Sequence, residues 1–479
     1  MADITIHLSN RNTGFTTRLA QFYGAQTSTN FEVISASGIL LEANIGTNFT
    51  YSGGFFRTGT IYENYLFAAN GELAFSATGL NLDVAARNNS LQVGQSQGGY
   101  YRLLGIGDDV VTGSSGDDFL FGSKGNDHVD GGTGLDILSY NGFEGAVTVN
   151  LATRTAETAF GVSTLVGIED VEGSAFADTL TGDVRNNLLQ GFGGNDIIDG
   201  RGGLDTASYL DAASAVSVNL TLGTATGGSG SDTLVSIERV IGSRFNDMLL
   251  GSAANEFFVG GQGNDTINGG GGIDTVEYGN VGFGVEVNLS TGKTSGGAGI
   301  DTLTSIENVL GSIFGDVIIG NTRDNMIRGG AGNDVLVGGT GVDQLYGDAG
   351  NDRLRGGIGN DWLQGGAGKD AFQFDTALGT SNAANIDFID DFSPLDDTLY
   401  LENSVFSAFG TTTGAINAAH FRSIVTGGAT DANDFLVYDR STGALFYDAN
   451  GSVNGLGDAV QFATLLPNLQ LTSSDFLLI

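Results

Sequence analysis

The sequence predicts an all-β protein: a parallel β-roll or β-helix solenoid wound from nine-residue units, with a β-rich segment before it and a β-rich cap after it. Three observations carry this expectation. The phrase Gly-Gly-x-Gly-x-Asp-x-apolar-x recurs, most cleanly at Gly329-Gly330-Ala331-Gly332-Asn333-Asp334-Val335-Leu336-Val337, and continues without a gap in units starting at Gly338, Gly347, Gly356 and Gly365. A longer period of 69 residues lies on top of it and relates Asp136, Asp205, Asp274 and Asp343. Composition agrees: 79 glycines but only 2 prolines, with 40% apolar residues at fixed repeat positions, so a packed core is expected rather than disorder.

Each position of the nine-residue unit has a physical reason. Glycine tolerates the positive-φ backbone that a tight turn needs. The turn's carbonyls and its Asp carboxylate are the hard oxygen ligands that calcium prefers. The apolar residue two places after the Asp points into the coil. Two units then make one coil, with a turn on each edge. The predicted ligands, for several Ca²⁺ ions, are Asp109, Asp118, Asp127, Asp136, Asp178, Asp196, Asp205, Asp247, Asp265, Asp274, Asp316, Asp334, Asp343, Asp352, Asp361 and Asp370.

The units fall in blocks near 105–139, 173–208, 242–277 and 311–373, which together define a repeat region over 105–373. Between blocks lie spacers. Each holds an alternating strand (Val147-Thr148-Val149-Asn150-Leu151, then VSVNL and VEVNL at the 69-residue spacing), a Gly/Thr-rich bend, and a Ser-Ile-Glu-like segment carrying Glu169, Glu238 or Glu307. Alternation of this kind suits a half-buried strand. Modules that keep one period without insertion read as stacked structural units. The first two units of the later blocks are degenerate. Phe176, Phe245 and Phe314 replace the fourth glycine in the first unit. Arg185, Ala254 and Arg323 replace it in the second, where Asn187, Glu256 and Asn325 also take the Asp position. A β-carbon penalises the left-handed turn, so these units are expected to bind calcium weakly or not at all.

Residues 1–104 contain no nonapeptide and read as an aromatic-rich β domain, with strands at Ile4–Leu8, Phe31–Ile34, Ile39–Leu41, Thr58–Tyr62 and Leu73–Phe75. Residues 374–479 read as a hairpin-rich cap, which a solenoid needs to cover its last coil.

The balance of 19 basic against 55 acidic residues gives a net charge of -36. Such a chain repels itself without metal and carries no basic stripe for nucleic acid. No segment has the apolar run of a membrane span, and the first fifteen residues lack the features of a Sec leader. Cysteine is absent, which excludes disulfides and thiolate metal sites. Calcium sites tuned to millimolar ion point to an extracellular setting.

The nonapeptide is the signature of RTX calcium-binding repeats, and the chain resembles RTX exoproteins over about residues 105–479. Asp-Phe-x-x-x-x-Asp-x-x-x-Leu at Asp391, then Tyr438-Asp439-Arg440-Ser441-Thr442-Gly443-Ala444-Leu445-Phe446-Tyr447-Asp448, is similar to the C-terminal region of serralysin-type proteins. The closing Asp475-Phe476-Leu477-Leu478-Ile479 is similar to the signals of type I secretion substrates. The resemblance implies secretion through a type I apparatus to the cell surface or medium.

It does not imply protease activity. The three histidines, His7, His128 and His420, are far apart; they form no zinc motif and no triad with a Gly-x-Ser-x-Gly elbow. The Tyr-Gly-x-Asp-Pro-His-type motif of RTX-bearing mannuronan epimerases is also absent. The expectation is a non-enzymatic, calcium-binding structural protein that self-associates as a homo-oligomer or filament. The alternatives are an adhesin that binds carbohydrate or a host surface through residues 1–104, and an enzyme with its active site there.

Overall fold

The structure is a computed structural model that describes residues 107–379, 385–425, 433–451 and 459–479, together with the backbone of short strands between residues 29 and 102. The chain divides into two compact units, Met1–Asp205 and Thr206–Ile479. The described residues are almost all β, with three short 3₁₀ turns and no α-helix.

In the first unit, short parallel strands stack as two ladders. One runs through Asp109–Thr112, His128–Asp130 and Gly161–Val166. The other runs through Phe119–Phe121, Ile137–Ser139 and Asp170–Glu172. Between nonapeptides the register pairs each residue with the one eighteen positions on, as Leu120 with Leu138, so one coil consists of two nonapeptides; across the spacer the partner lies farther on, as Leu138 with Val171. The parallel ladders extend ahead of the first nonapeptide, since Asn89–Gln92 pairs with Asp109–Thr112 and Tyr100–Arg102 with Phe119–Phe121. Before that come antiparallel hairpins, Thr29–Ile34 with Leu40–Ile45, Thr50–Ser52 with Phe55–Thr58, and Asn64–Phe67 with Leu73–Ala77. The strand expected at Ile4–Leu8 and the side chains of the aromatic-rich segment lie outside the described residues.

In the second unit the last block makes the longest uninterrupted ladders. Val317–Ile319, Val335–Thr340, Arg353–Ile358, Ala371–Phe374 and Thr398–Leu401 form one. Asn308–Leu310, Met326–Ala331, Gln344–Ala349, Trp362–Gln364 and Asp387–Ile389 form the other. The apolar residue two places after each Asp, or after Asn325 in its place, fills the interior: Ile318, Ile327, Leu336, Leu345 and Leu354 are completely buried. Each such side chain contributes about 1.5–3 kcal/mol by leaving water.

The spacers are three-strand meanders inserted into this parallel order. Val285–Asn288 pairs antiparallel with Lys293–Gly296, which turns back onto Thr302–Thr304. The outer strands rejoin the ladder in parallel: Thr302–Thr304 on the preceding Thr266–Asn268, and Val285–Asn288 on the following Val317–Ile319. The first unit repeats the arrangement with Thr148–Asn150, Thr155–Thr158 and Gly161–Val166. After the repeats, Leu436–Asp439 pairs antiparallel with Ala444–Tyr447, and Ala444–Tyr447 antiparallel with Val460–Thr464. The final strand, Phe476–Leu478, lies parallel on Thr398–Leu401.

Candidate metal centre

The aspartates of the nonapeptides are held in rows by the backbone. In the second unit, Oδ1 of Asp334 accepts the amide of Asp316, Asp352 that of Asp334, and Asp370 that of Asp352, at 2.8–2.9 Å. Asp343 accepts from Asn325 and Asp361 from Asp343, both at 2.8 Å, in a separate row. Asp265 accepts from Asp247, and Asp274 from Glu256. In the first unit Asp127 accepts from Asp109, Asp136 from Asp118, Asp196 from Asp178 and Asp205 from Asn187. Every predicted ligand therefore lies in a row with a neighbour one coil away, and all sixteen are buried.

This arrangement uses only one oxygen of each carboxylate. The second oxygen, Oδ2, of Asp109, Asp136, Asp265, Asp274, Asp334, Asp343, Asp352 and Asp361 is buried and meets no protein donor. A buried, unpaired carboxylate oxygen is costly. The first glycine of each unit keeps the space beside it open. At Gly338 a β-carbon would strike Oδ2 of Asp343 and come within 2.5 Å of the Gly356 carbonyl oxygen. A carboxylate oxygen of one coil and a glycine carbonyl of the next thus line the same gap. Such a donor set, all oxygen and one carboxylate per turn, fits calcium. Among the described residues no group of three or more His, Cys, Asp or Glu side chains converges on one point; the remaining ligands would be carbonyls.

The degenerate units differ as their sequence suggests. The fourth glycines Gly332 and Gly341 adopt φ of 123° and 139°, whereas Phe176, Arg185, Phe245, Ala254, Phe314 and Arg323 at that position are not in the positive-φ region. In the first of these units the aspartate is satisfied from within. The Ser174 hydroxyl donates to Asp178, Ser243 to Asp247 and Ser312 to Asp316. The Asn325 side chain accepts from the Asn321 amide and donates to the Glu307 carbonyl.

Sequence reasoning missed several rungs. Glu169 and Glu307 accept the amides of Asp136 and Asp274, and Asp301 accepts that of Asp265. Asp387 and Asp397 accept those of Asp361 and Asp370, so the rows continue past the last nonapeptide. The 69-residue recurrence of Glu169, Glu238 and Glu307 was the available signal.

Burial, reinforced by neighbouring carboxylates, pushes Asp136, Asp334 and Asp343 up to about 7 and Asp265 up to about 8. A folded-state pKa above the ordinary carboxylate value, about 3.9, favours metal-free folding where the group is protonated. That contribution is full below about pH 4 and is lost as pH rises through about 7 to 8. Metal-free protein should therefore gain β-structure as pH falls from 8 to 5, while calcium affinity falls over the same range because protons compete for the oxygens. Circular dichroism in chelator, with calcium titrations at each pH, checks both. Loss of metal-free structure on acidification would contradict this electrostatic account.

A family model described as the RTX calcium-binding nonapeptide repeat (4 copies) matches residues 104–138, 172–207, 241–276, 310–345 and 346–373. No curated protein matches the chain. Among solved structures, the solution structure of the AlgE6R3 subunit from the Azotobacter vinelandii mannuronan C5-epimerase aligns at 24% identity. It covers 34% of this chain and 77% of that one, with a TM-score of 0.17, too low to carry an argument. The stretches matched by the family model contain all sixteen predicted ligand aspartates. The chain carries RTX calcium-binding nonapeptide repeats in five stretches between residues 104 and 373.

Proposed function

We propose that this is an exported protein, folded by calcium outside the cell and used there as a self-associating structural component of a cell surface or matrix. The observation that carries the reading is the set of buried carboxylate oxygens that no protein donor meets. Calcium would neutralise them and tie adjacent coils together through carboxylate and carbonyl oxygens. The sixteen aspartates named from the sequence act as its ligands, and the chain has no catalytic role.

The intact units carry the binding. Asp343→Ala should weaken calcium binding by at least about tenfold, roughly 1.4 kcal/mol. Asn325→Ala should change it little, because the Asn325 amide is already satisfied by protein groups. Calorimetric titration of the two variants checks this ranking, and the reverse order would remove it.

Export before folding is supported by the charge of -36 and by the closing strand. Phe476 is completely buried and Leu478 nearly so. A type I transporter that reads these residues would read them in the unfolded chain. Among the described residues no helix is long and apolar enough to cross a membrane. Self-association is supported by the repetition and by the β-rich segments that flank it. Head-to-tail pairing of such segments does not close, and it builds filaments or sheets. Light scattering on the full chain, with calcium added stepwise to millimolar, should show growth in mass. A monomer at every calcium and protein concentration would overturn the assembly reading.

A further inference from the structure

The second unit of the later blocks occurs in three copies, and the copies solve one electrostatic problem in two ways. In the copy at Gly182–Asn187, the Arg185 guanidinium pairs with Glu169, and the Asn187 amide donates to the Glu169 carbonyl at 2.6 Å. In the copy at Gly320–Asn325, Arg323 pairs with Glu307, and the Asn325 amide donates to the Glu307 carbonyl at 2.7 Å. Both copies supply a tethered positive charge and an amide donor at the edge of the coil.

The middle copy has neither. Ala254 stands in place of the arginine and Glu256 in place of the asparagine. At these two positions one positive charge is lost and one negative charge is gained; the sister turns also carry Asp183 or Asp324 where the middle turn has Ser252 and Asn255, so the turn goes from net zero to -1. Arg239, next in sequence to Glu238, is committed to Glu277. Glu256 is 2% exposed. The Ser252 amide and hydroxyl both donate to its Oε1, and Oε2 is buried and meets no donor. Its backbone amide donates to Asp274 at 2.9 Å, and Oδ2 of Asp274 also meets no donor. A β-carbon at Gly251 would strike the Gly269 carbonyl and approach Oε2 of Glu256 to 2.8 Å. That is the gap which carboxylate and carbonyl line at Gly338. The extra methylene of Glu256 lets one oxygen reach the serine while the other takes the place of an intact unit's Oδ2.

We propose that Glu256, Asp274 and the Gly269 carbonyl hold a diffusible divalent cation of calcium's class, at the position where the sister copies supply their own charge through Arg185 with Asn187 and Arg323 with Asn325. Two buried carboxylates, Glu256 and Asp274, each with an oxygen that no donor meets, balance a divalent ion, and the all-oxygen donor set selects a hard one. This site rests on the calcium reading above but lies in a unit whose sequence predicts weak binding or none.

The test counts bound calcium on the full chain at saturation, by equilibrium dialysis and atomic emission. Ala254→Arg with Glu256→Asn should bind one ion fewer than the native chain. The reciprocal pair, Arg323→Ala with Asn325→Glu, should bind one more. Both should keep the native circular dichroism in calcium. Unchanged stoichiometry in both folded variants overturns this site and leaves the nonapeptide sites standing. No calcium on the native chain overturns both readings. If the first variant fails to fold, the reciprocal pair decides: a gained ion supports the site and no gain overturns it.

Discussion

Chelating calcium should convert the repeat region from β-structure to a largely disordered chain, and restoring it should bring the structure back cooperatively. The rows place buried carboxylates one strand spacing apart, about 4.8 Å. Two such charges repel by about 3 kcal/mol at an effective dielectric of about 20, and the last block repeats this contact from Asp316 to Asp397 in one row and from Asp343 to Asp387 in the other. Ordering a glycine-rich backbone adds its own entropy cost. The buried apolar column offsets only part of this. Metal binding and folding are then one equilibrium. Magnesium should fail to replace calcium, because it demands near-ideal octahedral geometry and dehydrates reluctantly. Far-UV circular dichroism of the full chain at pH 8, in chelator, in calcium and in magnesium, checks the prediction. Superimposable spectra in chelator and calcium would remove the proposed dependence of the fold on metal.

A single methyl group placed in the gap should do nearly as much local damage as removing a ligand. Gly338 does not adopt positive φ, so Gly338→Ala adds no backbone strain of its own. Its β-carbon would enter the space between Oδ2 of Asp343 and the Gly356 carbonyl, and overfilling a tight site costs about 1–3 kcal/mol. The loss falls on calcium affinity, since the oxygens must part to admit the methyl. Gly202→Ala is the control, because a β-carbon there meets nothing within 4 Å. Calcium titration of both variants, followed by circular dichroism, should show a shifted midpoint for the first alone. Equal midpoints would mean that the gap beside Gly338 is not a ligand site.

The parts of the fold that obey a fixed period were legible. Asp334, Asp343 and Asp352 set the turn positions, and Leu336, Leu345 and Leu354 two places on are buried as expected. The spacers were legible only as alternating strands. Their antiparallel meanders rest on pairings such as Val218 with Ala225, which no nine-residue period indicates. The same break in period hid the extra rungs. Glu307 follows Asp274 by 33 residues, Asp301 follows Asp265 by 36, Asp387 follows Asp361 by 26 and Asp397 follows Asp370 by 27. Each nonetheless places its carboxylate where the next nonapeptide Asp would stand, because the ladder's hydrogen bonds depend on coil stacking and not on sequence separation. The serine substitutes in the degenerate units were hidden for a related reason. A serine two residues into the turn reads as a neutral loop residue until its hydroxyl is seen on Asp178, Asp247 or Asp316.

The central claim is that the buried oxygens between adjacent coils are calcium ligands. Anomalous diffraction from crystals of the full chain grown with calcium tests it most directly. The account predicts peaks beside Oδ2 of Asp334 and Asp352 in one row and of Asp343 and Asp361 in the other, each within coordination distance of a glycine carbonyl, about 2.3–2.6 Å. Ordered coils with no anomalous density in those gaps at millimolar calcium would contradict it.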